Sequence, residues 1–305
     1  MKEGLWEVKT MNSSTASFTI QLWHFVVHLR LHYQFLILSG GYLLASLFLN
    51  EVNWNQYWLQ FLNIHVLLFG GATAYNSYWD KDEGPIGGLK SPPKMTKWMW
   101  SVSLLIQFIG LAWAWTIGLS YSIIYVVSLL LFWLYSTPHA RWKGHPILSM
   151  IAIGFSTGTN SFLLGYLAGG GEVLTMYEGI IALGVACIIL SLYPASQIFQ
   201  MEEDRSRGDR TFAMEFGLKG IRIFYSLMFL IGTFIISYFL YGIDQVLGLI
   251  FGGLGVMAFV GILLILIKLE GKEDEYRKVM KIKFLASLSF VLFILSTLLY
   301  KSIIV

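Results

Sequence analysis

Long apolar runs separated by short polar connections fill the chain from residue 24 to residue 303. About 20 apolar residues cross a bilayer as a helix. On that yardstick spans are predicted over 24–49, 55–79, 97–118, 121–137, 147–169, 176–200, 221–243, 245–268 and 283–303. The fifth run ends in Gly169-Gly170-Gly171, a strong helix stop. The pattern predicts an all-α, polytopic membrane protein of nine transmembrane helices. No polar linker is long enough to divide it, so residues 1–305 are read as one membrane-embedded domain.

Composition agrees. Only 13% of the 305 residues are charged and 56% are hydrophobic, against roughly a quarter charged in a soluble domain. The single cysteine, Cys187, lies in an apolar run and excludes an intrachain disulfide. Residues 1–16 are polar, and the apolar run that follows is too long for the core of a cleavable signal peptide. No basic stripe suggests a nucleic acid as partner; the lipid bilayer is the expected one.

Where the charges sit is more informative than their sum. Lys81, Lys90, Lys94 and Lys97 fall between spans 2 and 3, and Arg141 and Lys143 between 4 and 5. Arg205, Arg207, Arg210, Lys219 and Arg222 fall between 6 and 7. Lys268, Lys272, Arg277, Lys278, Lys281 and Lys283 fall between 8 and 9. The intervening connections carry only acids, such as Glu51, Glu172 and Asp244. The positive-inside rule therefore places the N-terminus and the basic connections in the cytoplasm and the C-terminus outside. Lys94, Lys97 and the whole connection between spans 8 and 9 read as ordinary solvated cations at the interface.

Two acidic patches close apolar runs on that basic side: Asn76-Ser-Tyr-Trp-Asp80-Lys-Asp82-Glu83, and Gln200-Met-Glu202-Glu203-Asp204 followed by Arg205, Arg207, Asp209 and Arg210. Carboxylates beside hydrocarbon are costly and mark function. Asn76, Asp80 and Glu83 share a helical face, ending where Gly84-Pro85 breaks the helix, and so do Tyr193, Gln197, Gln200 and Asp204. Oxygen donors without a Cys or His cluster favour Mg²⁺ over zinc. Asp80 and Asp204 are the expected direct ligands and catalytic pair, with Asn76, Glu83 and Gln200 as further donors. Lys81, Lys90, Lys143, Arg205 and Arg210 are placed to neutralise a diphosphate. The loop from Gly84 to Pro93 is glycine-rich but lacks a P-loop pattern, and reads as a mobile cap carrying Lys90.

Three further features stay open at this level. His24, His28 and His32 have metal-ligand spacing but read better as amphipathic interfacial residues beside Arg30. Arg30 could reach a substrate head. Ser156, Thr157, Thr159 and Asn160 put polarity inside span 5, either for interhelical hydrogen bonds or, for Asn160, to line a cavity.

These motifs resemble the UbiA superfamily of intramembrane prenyltransferases. Asn76-xxx-Asp80 is similar to the start of that family's first aspartate motif. Asp204 through Gly208, Arg210, Thr211 and Gly217 resembles the end of its second, and Tyr135 to Pro146 its loop between helices 4 and 5. Arg30 with Gly40-Gly41 resembles the helix 1 signature. Two positions depart: Gly84 stands where the first motif has a third acid, and Gln200 where the second has its first. The resemblance implies a central cavity under a cytosolic cap, Mg²⁺ as cofactor, an isoprenyl diphosphate as donor, and a hydrophobic or aromatic acceptor. Tyr193, Gln197, Arg30 and Asn160 would then line the cavity. A terpene cyclase on the same fold, needing no acceptor, is the alternative, and a transporter a more distant one.

Overall fold

The computed structural model describes residues 17–81 and 84–304. Among these, helix is the only regular structure apart from an isolated bridge between Ile86 and Leu89. The helices are α1 (Phe18–Leu38 continuing as Gly40–Phe48, bent by 41°), α2 (54–80), α3 (Lys97–Ala114) and α4 (Leu119–Ser136). They continue as α5 (Pro146–Ala168), α6 (Met176–Ser206), α7 (Phe212–Ile243), α8 (Gln245–Ile267) and α9 (Tyr276–Lys301). Six of them, α4 to α9, are long and apolar enough to cross a membrane, and the bent α1 makes seven. The chain is thus an integral, multi-pass membrane protein.

The predicted runs over 55–79 and 97–118 are helical but fall outside those seven. Their polarity explains this. α2 carries Gln60, Asn63, His65 and Asn76, and α3 carries Ser103 and Gln107. Gln60, Asn63, His65, Ser103 and Gln107 are buried, and Gln60, Asn63 and Gln107 bond across to neighbouring helices. Asn63 Nδ2 donates to Gln60 Oε1 at 2.7 Å and to the Gly110 carbonyl at 3.0 Å. Tyr121 Oη reaches Gln60 Oε1 at 3.1 Å, and Trp133 Nε1 reaches Gln107 Oε1 at 3.2 Å. A polar side chain inside an apolar bundle costs several kcal/mol unless it is paired. Here all but the Asn63–Gln60 bond join two helices.

Other boundaries also move. α7 starts at Phe212 and α9 at Tyr276, each well before the predicted 221 and 283, because each opens with an amphipathic turn that hydropathy alone leaves out. Gly217, at φ 59, kinks α7 after that lead-in. α2 stops at Asp80, where Lys81 adopts left-handed φ 51, earlier than the predicted break at Gly84-Pro85. α6 tightens to a 3₁₀ turn over Pro194–Gln200, since proline cannot continue the α-helical hydrogen-bond ladder. Ser156 and Thr157 bond back to Ala152 and Ile153 of their own helix, around a π-helical stretch Gly154–Thr159. Only Asn160 of that polar group makes the expected interhelical bond, from Nδ2 to Ser128 Oγ at 2.9 Å.

α6 packs between α5 and α7. Its approach to α5 needs Gly158, where an added Cβ would lie 2.6 Å from the Ala186 Cα. No side chain can shift to relieve a clash with backbone. Gly158→Leu should therefore destabilise the protein by about 1–3 kcal/mol or more through overpacking, read as a lower thermal midpoint in detergent. Gly179→Ala, on an open face of the same α6, should leave the midpoint unchanged or raise it.

Candidate functional site

The helices enclose a cavity of about 490 Å³ that is charged at one end and apolar at the other. Asn76 and Asp80 from the end of α2 and Gln200 and Asp204 from the end of α6 line the charged end. Phe132, Phe229, Phe251, Phe290 and Phe293 line the remainder. The apolar lining follows from the apolar stripes of α4, α7, α8 and α9. The charged lining follows from where α2 and α6 stop.

Lys143 ties the two motif ends together. It lies in the 3₁₀ turn Trp142–Gly144 between α4 and α5, and its ammonium forms an ion pair with Asp80. Lys143 Nζ is also 3.5 Å from Asn76 Oδ1, which accepts from Ser136 Oγ at 2.9 Å. Asn76 Nδ2 in turn donates to Asp80 Oδ2 at 2.7 Å. Burial pushes the Lys143 pKa down to about 7, while Asp209 and Asp204 pull it upward through their charge. The site thus gathers carboxylates around an ammonium whose charge is costly to bury.

A second ion pair holds the Lys143 turn in place. Arg141 donates from Nε to Asp209 Oδ1 at 2.6 Å and from its terminal nitrogen to Oδ2 at 2.7 Å. This bidentate geometry is among the stronger ionic contacts. Asp209 is buried, and beside it the Arg210 N–H donates to the Gly144 carbonyl at 2.8 Å. Gly208, at φ 78, lets the chain turn back after α6 so that Asp209 faces inward. The α4–α5 and α6–α7 connections are thereby clamped to each other.

The 84–93 loop closes over this end from the α1 side. Ile86 and Gly87 line the cavity. Arg30, itself left-handed at φ 49, donates to the Gly87 carbonyl at 3.3 Å and to Ser77 Oγ at 2.9 Å. His28 Nε2 meets the Pro93 carbonyl at 2.7 Å and His32 Nε2 the Gly88 carbonyl at 3.0 Å. The helical break at Arg30 destroys the i, i+4 histidine stripe, and these two histidines pin a loop.

Of the residues singled out from sequence, Asn76, Asp80, Lys143, Tyr193, Gln197, Gln200, Asp204 and Arg30 share the cavity. Tyr193 Oη lies 3.1 Å from Tyr135 Oη, and Gln197 Oε1 accepts from the Ala213 N–H at 3.2 Å. Four expected cations are not among the lining residues. Lys81 and Lys90 are exposed on the connection after α2, and Arg205 is exposed on the outward side of α6. The side chain of Arg210 is 74% exposed and bonds Glu215 at 2.6 Å. Asn160 is buried against Ser128 and does not line the cavity either. Glu83 lies outside the described residues.

Sequence reasoning missed Arg207, Asp209 and Lys283, all of which line the cavity. Arg207 stands three residues after Asp204, on the same helical face, a spacing that was available to be read. Asp209 depends on the turn at Gly208, and Lys283 on the early start of α9. Among the described residues no three His, Cys, Asp or Glu side chains cluster as a metal site. The carboxylates that line the cavity are Asp80, Asp204 and Asp209, the last paired with Arg141, and the amides are Asn76, Gln197 and Gln200.

No curated protein matches the chain. Among solved structures, a UbiA homolog from Archaeoglobus fulgidus bound to GPP and Mg²⁺ is similar, with TM-score 0.69 and 14% identity over 90% of this chain and 98% of that one. The same homolog bound to DMAPP and Mg²⁺ gives TM-score 0.66 and 14% identity, over 89% and 99%. A digeranylgeranylglyceryl phosphate synthase gives TM-score 0.60 and 21% identity, over 90% and 98%. At these identities the likeness is one of fold. The UbiA prenyltransferase family matches residues 35–288, most of the chain. The chain belongs to the UbiA prenyltransferase family.

Proposed function

We propose that the protein is a Mg²⁺-dependent intramembrane prenyltransferase, moving an isoprenyl group from an allylic diphosphate to a hydrophobic or aromatic acceptor. The observation that carries this reading is the one cavity whose lining brings Asp80, Asp204, Lys143 and Arg207 together with a mostly apolar remainder. An isoprenyl diphosphate has that polarity, a charged head on a hydrocarbon tail. Family membership and the diphosphate-bound homolog support it.

The donor set suits Mg²⁺, which takes one or two carboxylates and fills its remaining positions with water and substrate phosphate. Asp80 and Asp204 would hold it, with Asn76 and Gln200 as neutral oxygen donors and Glu83 beyond the described residues. Bound there, Mg²⁺ supplies Lewis-acid neutralisation of the leaving diphosphate. The chain's own part is electrostatic. Lys143 and Arg207 present positive charge where the departing anion gains it, in surroundings that water does not screen. The phenyl rings along the apolar lining present their negative faces to an allylic cation and keep water from quenching it.

The topology proposed with this function has nine spans, counting α2 and α3, whose Gln60, Asn63 and Gln107 are hydrogen-bonded inside the bundle. The basic connections, the 84–93 cap and the N-terminus would lie in the cytoplasm and the C-terminus outside. One domain then comprises the whole chain.

Two measurements test the reading. Purified protein supplied with Mg²⁺ and geranyl diphosphate should release pyrophosphate in the presence of an acceptor, and Asp80→Ala or Asp204→Ala should cut that release by about 10²-fold or more. Undiminished release in both variants would refute the assignment, and a cyclic hydrocarbon formed without acceptor would favour the cyclase. Arg141→Ala removes no group from the cavity lining, yet it leaves Asp209 buried without its bidentate partner and loosens the turn that carries Lys143. It should lower kcat by roughly tenfold and also lower the thermal midpoint. Arg141→Ala combined with Asp209→Ala should recover part of the midpoint, because no uncompensated charge then remains buried.

A further inference from the structure

The acids that face the cavity are matched to cations of the α2, α4–α5 and α6 side. Asp80 pairs with Lys143 and Asp209 with Arg141, and Asp204 interacts through its charge with Arg207 and Lys143. Lys283, two turns into α9, lines the same cavity and is only 9% exposed. Among the described residues no carboxylate pairs with it. Its one hydrogen bond runs from Nζ to Tyr33 Oη on α1, at 3.0 Å, with the ammonium 5.5 Å from the centre of the Tyr33 ring.

A neutral hydroxyl and a ring face recover only part of what an ammonium loses on leaving water. The position is also held firmly. Glu275, 2% exposed, accepts from the N–H groups of Glu270 at 3.0 Å, Gly271 at 2.8 Å and Lys272 at 3.1 Å, and so fixes the turn from which α9 starts. Tyr276 Oη then donates to the Ile86 carbonyl at 3.1 Å. Tyr33 is held from the loop side, since a Cβ on Gly87 would lie 3.5 Å from its ring and 3.6 Å from an Arg30 guanidinium nitrogen. Ser287, one turn beyond Lys283, also lines the cavity and adds a hydroxyl. A buried, positioned ammonium, lacking an internal counter-ion and directed at a cavity, is built to receive an anion.

We infer that Lys283 and the Tyr33 hydroxyl form an acceptor subsite for a negatively charged head group, a carboxylate or a phosphate monoester. Its groups come from α1 and α9, whereas the carboxylates come from α2 and α6. That the anion belongs to the acceptor rests on the prenyltransferase reading; that an anion binds at Lys283 does not. Lys283 is then a specificity-determining residue, selecting acceptors by charge.

The test is binding to the full-length protein in nanodiscs, followed by isothermal calorimetry with matched probes. One pair is 4-hydroxybenzoate and its neutral amide, 4-hydroxybenzamide. The other is a 1-alkylglycerol 3-phosphate and the corresponding 1-alkylglycerol. At least one anion should bind about tenfold or more tightly than its neutral twin, and which pair shows the preference tells an aromatic acid from a lipid phosphate. Lys283→Met should erase the preference, Lys283→Arg should retain it, and Tyr33→Phe should reduce it while leaving the cation in place. Equal binding of both twins to the unaltered protein would overturn the inference. So would a preference that survives Lys283→Met, or a Lys283→Met variant that weakens geranyl diphosphate rather than the anionic probe. Absence of pyrophosphate release from geranyl diphosphate would instead count against the transferase reading, and the probe binding stands independently of it.

Discussion

Charge buried beside hydrocarbon has to be matched by charge, and this constraint organises the basic end of the bundle. Asp80 ends α2 and would be untenable alone at that depth. Lys143 reaches it from a turn two helices later in the chain, and that turn is clamped by Arg141 to Asp209 just past α6. Removing one partner of such a pair costs about 3–5 kcal/mol, because the other stays buried without compensation. The two motif ends are therefore held together by the same electrostatics that would later grip a ligand. Stability and function are coupled here, and a substitution at Asp80 or Asp209 will be felt in both.

The rest of the bundle makes room for this end without competing with it. α2, α3 and α4 satisfy their polar side chains among themselves, through Gln60, Asn63, Gln107, Tyr121 and Trp133. Tyr42 and Tyr57 do the same between α1 and α2, each hydroxyl donating to the other's carbonyl, at 2.8 Å and 2.9 Å. Such pairs give fixed register between helices where hydrophobic burial gives little, since lipid tails are as apolar as the helix faces. With these groups paired internally, the cavity wall on α7, α8 and α9 is mostly apolar, built on Phe229, Phe251, Phe290 and Phe293, with Lys283 as its charged exception.

Much of the helical fold was legible because hydropathy is a strong signal over 20-residue windows. The paired motifs were legible too: Asn76 and Asp80 on one face, and Tyr193, Gln197, Gln200 and Asp204 on another, all reach the cavity. Of the five expected cations only Lys143 lines the cavity. Lys81 and Lys90 looked adjacent to the site in sequence, but α2 ends at Asp80 with a left-handed residue that turns Lys81 outward. Arg205 sits beside Asp204 in the chain, yet a neighbour on a helix points about 100° away, and Arg207 takes the inward position. Lys283 was read as one of six interfacial cations, because the start of α9 at Tyr276 depends on the Glu275 turn, which hydropathy does not register. Asn160 was polar in an apolar run, and nothing in the sequence says that Ser128 is opposite it.

The joint grip of α2 and α6 on one charged ligand is most directly examined with Mn²⁺ standing in for Mg²⁺. The electron paramagnetic resonance spectrum of bound Mn²⁺ would be recorded with a non-cleavable allylic diphosphate analogue and the full-length protein. Mn²⁺ should bind in the presence of the analogue, and Asp80→Asn and Asp204→Asn should each abolish that binding. Undiminished binding in either single variant would mean that the two helix ends do not share a ligand, and would contradict the site as built here.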